Sequence, residues 1–289
     1  MTNELETKLA KVQEMLNGHQ LDALLLQKVD NFAWATCGGA SYINSADIMG
    51  VGSLLITPSG RYLVTNNIEA PRFRQEENLE KQGWEFVISP WYEHDETITK
   101  MANGMRLGAD GGYPGAKDVN ASLTSLRINL LPEEQARFKE VSQGCAGAMH
   151  QAILRVEPGM TEFEIAAVLN EETQSRGILP IVNLVATDER IYTYRHPLPT
   201  GKRMQNYAML VLCGRKNGLV CSLTRLVHYG ALPDELNRIA EATAVIDANF
   251  IAATRPSKSL GEVFQRGQAT YAKAVTYTHL TLPTIRRGC

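Results

Sequence analysis

A chain of 289 residues exceeds one ordinary domain of about 100–200 residues and falls short of three, which points to two domains and excludes a small peptide module. At 44% hydrophobic and 21% charged it carries enough apolar side chain for a core in each half, so wholesale disorder is excluded. Twenty-nine Lys plus Arg against 31 Asp plus Glu give a net charge of −2, which supplies no global attraction to nucleic acid or to an anionic membrane.

The first residues lack the basic-then-apolar order of a signal peptide, and no run of about 18 uncharged apolar residues occurs. A cytoplasmic location without a membrane partner is therefore expected. Cys37, Cys145, Cys213, Cys221 and Cys289 are odd in number and scattered without metal-ligand spacing, as suits buried thiols in a reducing compartment.

From Leu5, apolar Leu9, Val12 and Leu16 recur at helical spacing and stop at Asn17-Gly18. Leu21 to Leu26 is short and apolar enough for a buried strand. Val51 to Ile56 and Tyr62 to Thr65, joined by Thr57-Pro58-Ser59-Gly60, read as a hairpin, and Trp84 to Ile88 as a further strand. The glycine-rich piece from Gly108 to Gly115 has neither the P-loop Lys-Ser/Thr nor a complete dinucleotide fingerprint, and reads as a turn after a strand.

The character changes near Leu130. Pro132 suits a first helical turn with Glu133 and Glu134 at its positive end, and Phe138, Val141, Cys145, Ala148 and Ala152 mark one apolar face of a long helix. Pro158-Gly159 breaks it. Thr161 to Glu164 forms a capping box that opens a second helix to about Arg176. Strand-like runs follow at Ile181 to Ala186, Ala208 to Cys213 and Leu219 to Val227, then helices over Asp234 to Ala253 and Ser259 to Ala274.

These pieces in order resemble the creatinase and Xaa-Pro aminopeptidase family. The resemblance is carried by Leu21-Asp22-Ala23-Leu24-Leu25, Pro132-Glu133-Glu134, Glu157-Pro158-Gly159-Met160-Thr161-Glu162, His196-Pro197-Leu198-Pro199-Thr200 and Gly218 to Arg225, and runs from about residue 5 to 275. It implies an α/β creatinase-like domain over 1–125 and an α+β pita-bread catalytic domain, incomplete, over 130–275. It also implies a homodimer for the full-length protein. The last stretch, 276–289, shows no helical or alternating period and reads as a non-native tail.

The departures from the family matter more. Its peptidases hold two metal ions beginning with two Asp about eleven residues apart on adjacent strands. The second falls on Ser222 and the first on Val211, Leu212 or Cys213, and no carboxylate occurs between Glu189 and Asp234. Paired divalent cations need oxygen ligands and bridging carboxylates, so no metal and no cofactor is expected here. The family's remaining His and two Glu ligands would lie past the recognisable sequence.

His196 matches the family's His-x-x-Pro, in which the histidine faces the scissile group. An imidazole of ordinary pKa, about 6.5, can pass a proton at neutral pH, which suits C–N cleavage with a leaving amine. The plainer reading is a surface-loop histidine. His150 and His228 match no catalytic position. From Arg190 to Pro233 there are seven basic residues and no acidic one, so Arg195 and Arg225 are candidates to bind an anionic substrate, unless the cluster pairs with carboxylates from elsewhere. Aromatic interleaving is limited to Tyr192, Tyr194 and Tyr207, which is poor support for nucleic-acid binding.

The leading expectation is that the full-length protein hydrolyses C–N bonds in a small anionic molecule or short peptide without the dinuclear centre, and that the 289-residue chain by itself is inactive. The alternatives are a conventional Xaa-Pro metallopeptidase and a catalytically silent binding or dimerisation module.

Overall fold

The computed structural model describes residues 3–274. The expected non-native tail at 276–289 lies outside the described residues. Two sheets organise the chain.

The first contains β1 (Ala23–Lys28), β2 (Met49–Ile56), β3 (Arg61–Asn66), β4 (Glu85–Ser89), β5 (Leu107–Ala109) and β6 (Lys117–Asp118) in the order β4-β3-β2-β1-β5-β6. The β2–β3 hairpin is antiparallel, as the Pro58-Ser59-Gly60 turn requires, while β1 runs parallel to β5. Helices α1 (Asn3–His19), α2 (Val29–Ala35), α3 (Ala70–Gln75), α4 (His94–Ala102) and α5 (Asn120–Arg127) cover it. Strand β1 is apolar without alternation because both its faces are buried. Leu24 and Leu26 join Leu5, Leu16, Phe32 and Phe73 on one side, and Ala23 and Leu25 join Leu55, Val64 and Ile98 on the other.

The glycine-rich turn after β5 is put to structural use. Asp110, fully buried, accepts hydrogen bonds from the backbone of Gln27 and Lys28 and from Asn31 Nδ2 at 2.8, 3.0 and 2.9 Å, fixing the entry to α2.

Beyond Pro132 come α6 (Pro132–Arg155), α7 (Glu162–Gln174), β7 (Leu179–Thr187), α8 (Glu189–Thr193), β8 (Tyr207–Lys216), β9 (Leu219–His228), α9 (Asp234–Ala253) and α10 (Leu260–Ala274). The three strands form an antiparallel sheet in the order β7-β8-β9. Helices α6 and α7 pack on one face of it, where Val141, Cys145, Met149, Ile165 and Leu169 meet Ala208, Leu210 and Leu212. The long-helix expectation needs one correction: Phe138 is 38% exposed, and Glu134 is buried on that helix instead. Glu134 is drawn in by a charge partner, Lys8 of α1, whose ammonium lies 2.9 Å from it and 2.7 Å from Glu4. Lys8 also donates to the Trp34 carbonyl at 2.8 Å, so one buried cation joins α1, α2 and α6.

A second junction is the β8–β9 turn. Asn217 and Gly218 both have positive φ, 52° and 75°, as the twist of a two-residue hairpin demands. A Cβ on Gly218 would stand 2.4 Å from Ala33 Cβ, so the turn lies directly against α2. Helices α9 and α10 pack on each other, with the Phe250 ring against Gly267, and leave Val245, Ile251, Leu260 and Phe264 exposed.

Candidate functional site

The β7-β8-β9 sheet has one face under α6 and α7 and one open face. Strand alternation sends Leu210 and Leu212 to the helices and Val211, Cys213 and Arg215 to the open side, where their cross-strand partners are Thr224, Ser222 and Val220. The positions expected to hold the first family carboxylate therefore do lie beside Ser222 on one surface. That surface is apolar and only partly covered: Ile181, Val220 and Leu226 are 37%, 41% and 49% exposed.

At its centre the Ser222 hydroxyl donates to Cys213 Sγ at 3.0 Å. The resemblance implies a dinuclear metal centre here, and the residues do not fit one. A thiol, two hydroxyls and a valine provide neither the negative charge nor the bridging oxygens that two hard divalent cations require. Among the described residues no three His, Cys, Asp or Glu side chains converge as a metal site.

At one end of the open face, Tyr207 of β8 packs between Tyr192 of α8 and His228 of β9 with tilted rings, centroids 6.4 and 5.7 Å apart. Burial, with the neighbouring Tyr192 second, pushes the Tyr207 phenol up to about 12, so it stays a neutral wall. His228, which matches no catalytic position in the sequence, belongs to this wall, and no residue motif around it foretold the ring contact.

The segment between β7 and β8 carries the candidate proton carrier. Residues Tyr194, Arg195 and His196 are exposed on it, and Pro197 beneath them is buried. Two carboxylates hold the segment. Glu162, 0% exposed at the start of α7, accepts from the Thr187 backbone (2.8 Å) and hydroxyl (3.0 Å) and from the Thr200 backbone (2.9 Å) and hydroxyl (2.7 Å). It also pairs with Arg190, which reaches on to the Leu198 carbonyl at 3.1 Å and lies over the Tyr194 ring. Burial alone would raise the Glu162 carboxyl, but the bonds from Thr200, Arg190 and Thr187 outweigh it and hold it below its ordinary range. Asp188, at a positive φ of 50°, collects the backbone N–H groups of Gln205, Asn206 and Tyr207. Burial opposes its ionisation as well, and those three donors prevail. His196 thus rides on a loop fastened at both ends.

The sequence pointed to Thr161 and Glu164 as a capping box, and both reciprocal bonds are present, at 3.2 and 2.7 Å. It did not reveal the neighbouring Glu162 as the loop's anchor, because its partners stand 25 to 38 residues away.

Of the seven clustered cations, four meet carboxylates: Arg190 with Glu162, Lys202 with Asp188 and Glu189, Arg203 with Glu164, and Lys216 with Glu140. Arg195, Arg215 and Arg225 have no carboxylate within ion-pair distance among the described residues. They do not share one place. Arg225 is paired in register with Leu210, so it leaves β9 on the side opposite Ser222 and Thr224, and the open face receives Arg215 where the sequence had suggested Arg225. Arg215 lies over the Tyr42 ring, 4.3 Å from its centroid, beside a cleft of about 730 Å³ between the β8–β9 turn and the loops of the first sheet. Its Nε and Nη2 are withdrawn from water and have no hydrogen-bond partner among the described residues. By strand rise Arg215 is roughly 27 Å along β8 from Tyr207, so it lines the cleft end and not the His196 end.

The sequence profile of metallopeptidase family M24 matches residues 136–285. No curated relative matches the chain. Solved structures with a similar backbone include the prolidase from Pyrococcus horikoshii, with a TM-score of 0.77, 19% identity, and 92% of this chain and 78% of that one covered. The Xaa-Pro dipeptidase from Bacillus anthracis gives 0.73, 15% identity, and coverage of 93% and 78%. The X-Pro aminopeptidase from Thermotoga maritima gives 0.71, 14% identity, and coverage of 92% and 77%.

Proposed function

The chain belongs to metallopeptidase family M24 and has its pita-bread fold behind an α/β amino-terminal part, and from that premise we propose that it hydrolyses a C–N bond in a small anionic substrate without a dinuclear metal centre. The observation that carries this reading is the pairing of a fastened His196 loop with an open sheet face that has Cys213 and Ser222 in place of carboxylates. The proton-carrying part of the family's site is kept and the cation-holding part is replaced.

In this reading Arg195, next to His196 and free of a carboxylate partner among the described residues, holds the substrate's anion. Arg215 at the cleft end draws anions toward the open face; the same Nε–Nη2 edge in Arg106 clamps the Asp22 carboxylate at 3.0 and 2.7 Å. Water adds to the carbon as it gives a proton to His196, the C–N bond breaks, and the leaving nitrogen takes that proton from His196. Glu162 is a positioning residue that keeps the loop in place through Thr187, Arg190 and Thr200.

A second reading, a silent binding or homodimerising module, is favoured by the exposed apolar side chains Ile181, Val220 and Leu226 on the open face. The full-length protein separates the two. It is incubated with a panel of Xaa-Pro dipeptides and small amidino and amide carboxylates, and amine release is followed. Release from an anionic member supports the hydrolase; saturable binding of the panel, or a dimer, with no release supports the silent module.

A further inference from the structure

On the helix side of the same ribbon two thiols meet. Gly214 stands opposite Cys221 in the β8–β9 register, and Cys145 of α6 places its sulfur where a Gly214 side chain would be: a Cβ there would lie 2.4 Å from Cys145 Sγ. Alternation puts Cys221 on Gly214's side of the sheet and Cys213 with Ser222 on the other. Directly opposed cross-strand residues have Cβ positions about 4.5–5.5 Å apart, so a sulfur seated over Gly214 is close to Cys221. Both cysteines pack in one cluster, Cys145 fully buried and Cys221 partly so. Burial first, and then the interaction with Cys221, pushes the Cys145 thiol up to about 11.

We propose that Cys145 and Cys221 are a modification site, a dithiol that peroxide converts to a reversible disulfide tying α6 to β9 beneath Ser222. The more accessible Cys221 reacts first: its sulfur attacks hydrogen peroxide, an S–O bond forms, the O–O bond breaks, and hydroxide leaves and is protonated to water. Cys145 then attacks the Cys221 sulfenic sulfur. An S–S bond forms, the S–O bond breaks, and the second hydroxide takes the Cys145 proton. The two thiols lose two electrons and two hydrogens, and one peroxide becomes two waters. Cys213 faces the wrong side to compete, and its neighbour is the Ser222 hydroxyl.

The test treats the full chain with hydrogen peroxide, quenches with acid, alkylates under denaturing conditions and maps peptides by mass spectrometry. Expected are a loss of about 2 Da per chain, a cross-linked Cys145–Cys221 peptide that dithiothreitol opens, and an oxidised form melting several degrees higher because the loop it closes restrains the unfolded chain. Cys213→Ser should leave the cross-link intact. Cys145→Ser should divert Cys221 to sulfinic acid; should that variant not fold, Cys221→Ser must leave Cys145 a free thiol under the same treatment. A Cys221 that overoxidises in the unaltered chain while Cys145 stays alkylatable, or a cross-link from Cys221 to Cys213 or Cys289, overturns the proposal.

Discussion

Ser222 donates its hydroxyl to the Cys213 thiol at 3.0 Å across the β8–β9 ribbon, in the middle of the open face. Two uncharged groups satisfy each other at the place where the family resemblance puts the metal-holding carboxylates. The chemistry proposed for this surface therefore rests on His196 and on what holds it.

The first prediction concerns that hold. Glu162→Gln keeps the shape but removes the charge that Arg190, Thr187 and Thr200 share. Leaving Arg190 uncompensated should lower stability by about 3 kcal/mol, and loosening the loop should lower kcat more than it raises KM. Urea denaturation and steady-state kinetics read the two effects separately. A variant with unchanged melting and unchanged kcat would mean that Glu162 anchors nothing.

The buried Lys8 cluster yields a stability prediction. Lys8→Met leaves Glu134 without its ammonium, and should cost about 3–5 kcal/mol by chemical denaturation. Glu134→Leu added to it should recover part of the loss, since it removes the carboxylate left without its ammonium while Glu4 keeps Arg137.

Acid should act on the same cluster. Burial tends to raise the Glu4 carboxyl, but Arg137 and Lys8 outweigh it and bring it from 4.5 to about 2, and Glu162 is lowered as well. Groups with depressed folded-state values contribute fully above the unfolded value and lose that contribution as the pH falls through the folded one. The melting temperature should therefore hold down to about pH 4.5 and drop from there toward pH 2. Arg137→Gln should shallow that drop; an identical slope would remove Glu4 from the explanation.

At the second junction, Gly218→Ala meets both a positive φ of 75° and the Ala33 methyl at 2.4 Å. The expected loss is about 1–3 kcal/mol, with part regained in the double variant carrying Ala33→Gly. Equal losses in the single and double variants would locate the cost in the turn alone.

Much of this fold was legible because its signals are local. The apolar β1, the Thr57 to Gly60 hairpin and the Thr161–Glu164 capping box each act within a few residues. Phe138 misled because helical spacing cannot tell that Lys8, more than a hundred residues earlier, neutralises Glu134 and draws it inward. The family resemblance singled out Ser222 but not which side Arg225 takes; that follows from its register opposite Leu210, and the β7–β8 pairing shifts between Pro180 and Val182 besides. Glu162 and Arg215 owe their surroundings to contacts distant in sequence, which no motif encodes.

The central claim is a proton-transfer site that works without paired metals, and its most direct measurement is hydrolysis of the anionic C–N substrate by the full-length protein after exhaustive chelation, beside His196→Ala. Turnover should survive chelation and fall about 10²–10⁴-fold in the variant, with melting unchanged because His196 is exposed. Turnover that collapses in chelator and returns with Mn²⁺, Co²⁺ or Zn²⁺, with His196→Ala unimpaired, would contradict it.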